Sequence, residues 1–201
     1  MLLADVPQNR LANRVIKRSV DIVGSLIGLV LSLPIYAILI PLVRFESRGP
    51  IIYKQVRVGQ GGKHFDIYKI RSMRVDAEAP GVAGWTTADD SRKTKIGTFM
   101  RKWNLDEIPQ FWNVLRGEMS LVGPRPERPE LIENFLDEVP YYQSRHSVKP
   151  GITGWAQVNG LRGDTSIAER IRYDLHYIER WSIWMDLSIQ LRTIFNYKGA
   201  C

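Results

Sequence analysis

Two adjacent carboxylates, Asp106 and Glu107, are the residues of this sequence best suited to chemistry. They precede Pro109 and an apolar-periodic run that Gly117 ends. Proline is tolerated in the first turn of a helix and glycine is common just past its end, so the pair is predicted at or near a helix N-terminus. Free N–H groups at such an end favour anions, including phosphate. The alternative is that Asp106 only caps the helix.

Paired acids permit one carboxylate to attack phosphorus while its neighbour holds Mg²⁺, a cation that takes few protein ligands and several phosphate oxygens. Cations must then neutralise charge on the transferred group. Two basic groups are candidates: Lys69, Arg71 and Arg74, and Arg125 with Arg128 in a proline-rich run. The first group is equally compatible with a solvated strand edge, and the second with a rigid connector that carries surface arginines.

The chain of 201 residues has the amino-acid composition of a typical globular protein, and its formal net charge is +7. This charge favours a polyanionic partner, such as nucleic acid, an acidic membrane leaflet or a phosphorylated substrate. The single cysteine, Cys201, excludes an internal disulfide and favours a reducing compartment. His and Cys do not cluster, which argues against a structural zinc site.

Residues 22–43 carry no charge and are long enough for a transmembrane helix. However, Pro34 and Pro41 interrupt the stretch, and basic residues flank both of its ends, which the positive-inside rule places on the cytoplasmic side. We therefore expect a re-entrant helix-break-helix that enters and leaves the same leaflet. A single span is the second choice, and a buried soluble helix is the third.

The rest of the chain predicts an α+β, mostly helical domain. Residues 51–58 and 65–70 are predicted to form a β-hairpin around a glycine cluster. Short helices are predicted over residues 95–103 and 131–138, and a longer one follows the capping box at Ser166. This longer helix carries Asp174, a candidate catalytic acid or an ion-paired helix residue. A Trp-rich final helix suits either a membrane interface or core packing.

Five ordered motifs carry a resemblance to a known family. They are residues 17–21 (KRSVD), 67–73 (IYKIRSM), 105–115 (LDEIPQFWNVL), 117–126 (GEMSLVGPRP) and 149–160 (KPGITGWAQVNG). Together they resemble the bacterial sugar transferases, the monotopic polyprenyl-phosphate phosphoglycosyl transferases. The sequence departs from the family at three positions: Asn104 replaces a serine, Ile108 replaces a leucine, and Leu33 precedes Pro34 where smaller members carry a serine.

The resemblance implies a two-step reaction between a UDP-sugar and undecaprenyl phosphate. Asp106 attacks the sugar-linked phosphorus, UMP leaves, and the lipid phosphate then takes the phosphosugar. Glu107 is the implied Mg²⁺ ligand. The implied substrate-binding residues are Lys69, Arg71, Arg125, Arg128 and Asp174. The wording of the C-terminal segment favours UDP-glucose, then UDP-galactose, and exopolysaccharide assembly.

The implied architecture is a basic segment (1–18), a re-entrant membrane hairpin (19–48) and a compact cytosolic catalytic domain (49–201) with amphipathic interface helices. The implied location is the cytoplasmic face of the bacterial inner membrane. Membrane lipid is an expected partner and nucleic acid is not. Formation of a homodimer is a further possibility. Two rival functions are a non-enzymatic basic protein of the membrane surface and a glycosyltransferase that releases UDP.

Overall fold

The structure of the protein is a computed structural model that describes residues 6–74, 92–163 and 165–195. The described residues form seven α-helices and four strands. The helices are α1 (Leu11–Glu46), α2 (Lys95–Lys102), α3 (Gln110–Arg116), α4 (Pro129–Glu138), α5 (Trp155–Val158), α6 (Ile167–Glu179) and α7 (Ile183–Phe195). The strands are β1 (Ile52–Val58), β2 (His64–Ile70), β3 (Ser120–Val122) and β4 (Gly151–Thr153). The glycines and prolines of residues 77–95 predict a loop, but most of this stretch, and Cys201, lie outside the described residues.

The predicted β-hairpin is confirmed. Strands β1 and β2 pair antiparallel, with Ile52 opposite Ile70 and Val58 opposite His64. Gly61 lies in their connection with a φ of 66°, a left-handed conformation that favours glycine. Side chains alternate between the two faces of a strand, so Tyr53, Gln55 and Arg57 of β1 share one face of the hairpin. Lys69 of β2, which is opposite Tyr53, lies on the same face.

A second, parallel pair of strands holds two distant loops together. Strand β3 pairs with β4, with Ser120 opposite Gly151 and Val122 opposite Thr153. Glycine is required here by close approach: a Cβ on Gly123 would lie 2.4 Å from the Lys149 carbonyl oxygen, and one on Gly154 would lie 2.2 Å from that of Gly123. The pair therefore joins the proline-rich run after β3 to the loop before α5.

Helix α1 differs from its prediction. It is one continuous helix with Pro34 and Pro41 inside it, so the predicted break at Pro34 is wrong. Proline removes one intrahelical hydrogen bond, but packing on both sides offsets this loss. Ser32 before Pro34, and Leu39 and Val43 after it, are buried against the rest of the protein.

The two faces of α1 reverse the pattern of a soluble helix. Its buried face includes four polar residues: Lys17, Asp21, Ser25 and Ser32. Its exposed face is apolar and includes Val23, Leu26, Ile27, Val30, Leu31, Leu33 and Ile38. By length and composition α1 is able to cross a membrane. Only 17% of its most apolar stretch of 18 residues is buried inside the protein. This pattern is compatible with membrane association.

Polar contacts tie both ends of α1 to the same folded body. Near the N-terminal end, Lys17 Nζ lies 2.7 Å from Asp186 Oδ2 on α7. One turn later, Asp21 Oδ1 accepts hydrogen bonds from Ser120 Oγ and the Leu121 N–H, both at 2.9 Å. At the C-terminal end, Glu46 Oε1 accepts a hydrogen bond from the Lys95 N–H at 2.6 Å. Both ends of α1 are therefore bound to the same domain.

The main core lies between β3, α6 and α7. Val122, Tyr177, Ile178, Trp181 and Ile189 are buried in it. One half of the predicted capping box is confirmed: Ser166 Oγ accepts a hydrogen bond from the Glu169 N–H at 3.3 Å and caps α6, whereas the Glu169 carboxylate pairs with Arg172. The outer face of α7 leaves five large apolar residues exposed: Trp184, Leu187, Leu191, Ile194 and Phe195. Contact of this face with a membrane stays a prediction.

Candidate active site

The paired acids lie in a single 3-10 turn, Leu105–Glu107, between α2 and α3. Asn104 leads into the turn in the left-handed region, with a φ of 54°, which asparagine tolerates better than most residues. Asp106 does not cap α3, because Pro109 occupies the N-cap position of that helix, and Asn104 makes no side-chain cap to the turn. The carboxylates therefore stand before the helix, and neighbouring cations supply most of the positive charge around them.

Glu107 is held by two cations. Its Oε1 lies 2.8 Å from Lys69 Nζ and 2.7 Å from Arg125 Nη2, and its Oε2 accepts from Arg125 Nη1 at 3.3 Å. Burial alone would raise the pKa of Glu107, but the charges of Arg125 and Lys69 outweigh burial and hold this pKa well below its ordinary value. Glu107 is therefore ionised at neutral pH.

Asp106 has a contrasting environment. It is 5% exposed, and within the described part of the chain no side chain donates a hydrogen bond to its carboxylate. Burial raises the pKa of Asp106 and the charge of Glu107 adds to this, while Lys69 and Arg101 oppose it. A carboxylate of raised pKa is a stronger base and is poorly solvated when ionised, as suits a nucleophile. Neighbouring acids with separated pKa values are typical of divided roles.

Lys69 and Arg125 are positioned by different means. Lys69 belongs to β2, opposite Tyr53 of β1, so the hairpin sets its direction. Burial lowers the pKa of Lys69, although Glu107 raises it. Arg125 stands between Pro124 and Pro126, which restrict its backbone. The charge of Glu107 raises the pKa of Arg125.

A cavity of about 600 Å³ opens over the two acids. Among the described residues that line it are nine Lys and Arg residues and only three acids, Asp106, Glu107 and Glu127. Such an excess of positive charge in a concave site attracts anionic ligands. The volume is in the range of small-molecule sites. The site is therefore suited to a polyanionic substrate.

Part of the cavity lining is apolar. Gly28, Leu31 and Ile35 of α1 line it together with Phe111 of α3. A Cβ on Gly28 would lie 2.6 Å from the Phe111 ring, so glycine lets α1 approach α3 closely. The cavity thus extends from a basic region to the helix whose outer face is apolar.

Sequence reasoning missed four basic residues that line the cavity: Arg57, Arg101, Arg162 and Arg170. Strand alternation offered a signal for Arg57, which shares one face of β1 with Tyr53 and Gln55. Burial lowers the pKa of Arg57 to about 10, which leaves it ionised at neutral pH. Arg162 lies between Gly160 and Gly163, a frame comparable with the prolines around Arg125.

Two of the predicted substrate-binding residues have protein partners that change their interpretation. Arg71 donates to the carbonyl oxygens of Ser47 and Arg48, at 2.7 and 3.2 Å, and so binds the C-terminal end of α1 at the cavity wall. Asp174 does not line the cavity. Its carboxylate is buried against Arg145, so a direct contact with substrate is not what the structure indicates. Arg128 does line the cavity.

Comparison with known proteins agrees with this site. The family model described as "Bacterial sugar transferase" matches residues 12–199. The chain belongs to the bacterial sugar transferase family. The matched range includes the acids, the cations and nearly all of α1.

Three relatives of this sugar transferase are named for nucleotide-sugar chemistry. Two are UDP-glucose:undecaprenyl-phosphate glucose-1-phosphate transferases. The one from Escherichia coli (strain K12) is 45% identical over 92% of the chain and 40% of that protein. The one from Klebsiella pneumoniae is 47% identical over 96% of the chain and 42% of that protein. The third, the UDP-N-acetylgalactosamine-undecaprenyl-phosphate N-acetylgalactosaminephosphotransferase of Aeromonas hydrophila, is 43% identical over 89% of the chain and 43% of that protein. The chain spans less than half the length of each.

The residues of the sugar transferase site are compatible with a metal held mainly by substrate. Among the described residues, no three His, Cys, Asp or Glu side chains converge to hold a metal by themselves. A carboxylate has about four lone-pair sites, and Lys69 and Arg125 use three on Glu107. One position on Oε2 remains, which fits a cation such as Mg²⁺ that takes few protein ligands.

Proposed function

We propose that this chain transfers a hexose 1-phosphate from a UDP-sugar to undecaprenyl phosphate. The observation that carries the proposal is the asymmetry of the acid pair. Glu107 is fixed and ionised between two cations, whereas Asp106 is buried beside it with a raised pKa, at the wall of a basic cavity. The names of the relatives support this donor and acceptor.

In the first step, a carboxylate oxygen of Asp106 attacks the phosphorus that carries the sugar. A bond forms between this oxygen and phosphorus, the bond from phosphorus to the bridging oxygen breaks, and UMP leaves with the electron pair. Arg125 and Lys69 lie next to the developing negative charge and stabilise it. The product is a phosphosugar linked to Asp106.

In the second step, an oxygen of undecaprenyl phosphate attacks the same phosphorus. The bond to the Asp106 oxygen breaks, the free carboxylate is restored, and a lipid-linked diphosphate sugar is released. The apolar residues of the cavity lining that belong to α1, Leu31 and Ile35, support binding of the first part of the lipid chain there. The basic residues of the lining, including Arg128 and Arg162, would bind the nucleotide sugar.

Glu107 would hold Mg²⁺ through its remaining position, and the ion would supply charge neutralisation for the phosphate oxygens. Lys69 and Arg125 keep Glu107 ionised and oriented for this role. The sugar we favour is glucose, then galactose.

We further propose that the protein is monotopic, on the cytoplasmic face of the bacterial inner membrane. Two observations support this placement. Polar contacts at Lys17 and at Glu46 tie both ends of α1 to one domain, and the face of α1 between them is apolar and exposed. A helix that bends at its prolines, Pro34 and Pro41, and so enters and leaves the same leaflet would satisfy both observations. Labelled cysteines placed at Arg14 and Arg48 should react from the same side of sealed vesicles, and reaction from opposite sides would show a span.

The deciding experiment identifies the nucleotide that is released. Protein in detergent is incubated with UDP-glucose, Mg²⁺ and undecaprenyl phosphate, and the products are separated by chromatography. UMP together with a lipid-linked diphosphate sugar is expected. Release of UDP would instead indicate a glycosyltransferase. No release with any UDP-hexose, combined with salt-sensitive binding to anionic vesicles, would indicate a basic protein of the membrane surface.

A further inference from the structure

Four charged side chains form a buried cluster next to Arg125, and two of them, Glu127 and Arg170, also line the cavity. Arg145 and Arg170 supply two positive charges, and Glu127 and Asp174 supply two negative charges; each residue is 2–3% exposed. Buried charges are stable only when they are paired and hydrogen-bonded. Arg170 Nη1 lies 2.8 Å from Glu127 Oε1, and Arg145 Nη2 lies 2.7 Å from Asp174 Oδ2. The cluster is therefore balanced without any ligand.

Arg145 connects this cluster directly to the site. Its Nη2 donates both to Asp174 Oδ2 and to the carbonyl oxygen of Arg125, at 2.7 and 2.9 Å. Its Nε also donates to Asp174 Oδ2, at 3.1 Å. Two donors on one carboxylate fix the plane of the guanidinium. Asp174 therefore orients Arg145, and Arg145 holds the main chain of Arg125.

The whole segment around Arg125 is held by its carbonyl groups. The Pro124 oxygen accepts from the Gly151 N–H at 2.9 Å, and the Glu127 oxygen accepts from the Val58 N–H at 3.1 Å. Between them, the Pro126 oxygen accepts from Arg57 Nη1 at 3.0 Å. Prolines have no N–H to donate, so acceptor contacts are the main polar restraints on this stretch. At Arg125 itself, the donor is Arg145.

We propose that Asp174 and Arg145 are positioning residues that fix the main chain of Arg125 and thereby aim its guanidinium at the phosphates of the substrate. The inference rests on the proposed function, in which Arg125 contacts those phosphates. It assigns to Asp174 a role without substrate contact, and it assigns a role in the reaction to Arg145, which lies on the turn Tyr142–Ser147.

The test compares Asp174→Asn with a matched control, Asp186→Asn. Asp186 is an equally buried acid that pairs with Lys17, far along the chain from Arg125. Titration calorimetry with UDP and Mg²⁺ measures Kd, and thermal unfolding measures Tm for both. Asp174→Asn is expected to weaken UDP binding about 10-fold, since coupled neighbours interact at that level. Asp186→Asn is expected to lower Tm but to leave Kd within about 2-fold.

A double-mutant cycle separates positioning from general loss of structure. In an Arg125→Ala background, Asp174→Asn should change Kd less than about 2-fold, because the group that it positions is gone. If the two effects multiply, or if Asp174→Asn leaves Kd unchanged, the proposal is overturned. Arg145→Lys keeps the charge beside Asp174 but loses the forked donors. It should therefore behave like Asp174→Asn, and full recovery of binding with lysine would also contradict the proposal.

Hydrogen–deuterium exchange provides a measurement that does not depend on the reaction. The backbone amides of Arg125, Glu127 and Arg128 should exchange faster in Asp174→Asn than in Asp186→Asn, at matched distance below each Tm. If Asp174→Asn exchanges faster but the wild-type protein shows no transfer activity, the positioning role is retained and the proposed function is rejected. Equal exchange in the two variants would reject the positioning role even if the wild type transfers the phosphosugar.

Discussion

Two clusters of charged side chains lie next to residues 124–128 and differ in balance. The cluster that faces the cavity sets many cations against Asp106, Glu107 and Glu127, and it is open to ligand. The cluster next to it pairs Arg145 with Asp174 and Arg170 with Glu127, and all four side chains are buried. Glu127 and Arg170 belong to both clusters, since both also line the cavity. The balanced cluster holds the segment in place, whereas the unbalanced one needs an anion to complete it.

Asp106 and Glu107 show the same difference between balanced and unbalanced charge. Glu107 has its charge compensated by Lys69 and Arg125, and its pKa falls. Asp106, one residue away, is buried without such compensation, and its pKa rises. A buried carboxylate that is paired with cations stabilises the folded state. A buried carboxylate that is poorly paired is more reactive but lowers the free energy of unfolding. The two acids should therefore respond to mutation in opposite ways.

The largest expected effect is that of Asp106→Asn on catalysis. Loss of the nucleophile should reduce UMP release by at least about 10⁴-fold. The amide removes a buried carboxylate of raised pKa, so Tm should stay the same or increase. Rapid-quench assays and thermal unfolding measure the two quantities.

The same variant tests the covalent step. Wild-type protein treated with UDP-[¹⁴C]glucose in the absence of lipid should retain label that hydroxylamine removes, as expected for an acyl phosphate. Labelling of Asp106→Asn to the same extent would assign the nucleophile to another residue.

Glu107→Gln should cause the largest loss of stability at the site. The amide leaves Lys69 and Arg125 facing each other without a negative charge, and breaking such a partly buried group costs about 3 kcal/mol. Urea unfolding measures the change, with Glu179→Gln, on the exposed end of α6, as a control expected within about 0.5 kcal/mol. A Glu107→Gln variant as stable as the control would show that the ion pairs contribute nothing.

Arg162→Gln should have a smaller effect, confined to substrate binding. Arg162 lines the cavity, and its pKa is lowered by burial and by the nearby charge of Arg125. Removing this cation should raise KM for the UDP-sugar about 10-fold, with little change in kcat. Arg172→Gln, on the exposed surface of α6 beside Glu169, is the matched control. Equal KM values for the two variants would place Arg162 outside the donor site.

The smallest expected effect is a shift in pH dependence. Attack requires ionised Asp106, whose pKa is raised by burial, so the acid limb of kcat/KM should lie above the ordinary range of aspartate. For stability, the raised pKa favours the folded state at low pH, and this contribution is lost as the pH rises through that pKa. The advantage in Tm of Asp106→Asn should therefore grow with pH. An acid limb at the ordinary pKa of aspartate would contradict the burial of Asp106.

Local sequence was sufficient for elements whose residues interact with near neighbours. The glycines between two β-branched runs predict the β1–β2 hairpin, and Ser166 with Glu169 predicts the start of α6; both are confirmed. Gly117 ends α3 as predicted, with a φ of 83°. The acid pair and the proline frame of Arg125 were also recognisable, because adjacent residues create them.

Long-range packing decided the rest. Two prolines predicted a break in α1, but contacts along its buried face keep the helix continuous. The β3–β4 pair joins strands of three residues that lie far apart in sequence, and no local preference predicts it. The partners of Arg71 and Asp174, and the place of Arg162 in the cavity, also depend on residues brought together only by folding. The residue types identify the groups that are able to do chemistry, whereas long-range packing fixes which of these groups face the cavity and which hold it in shape.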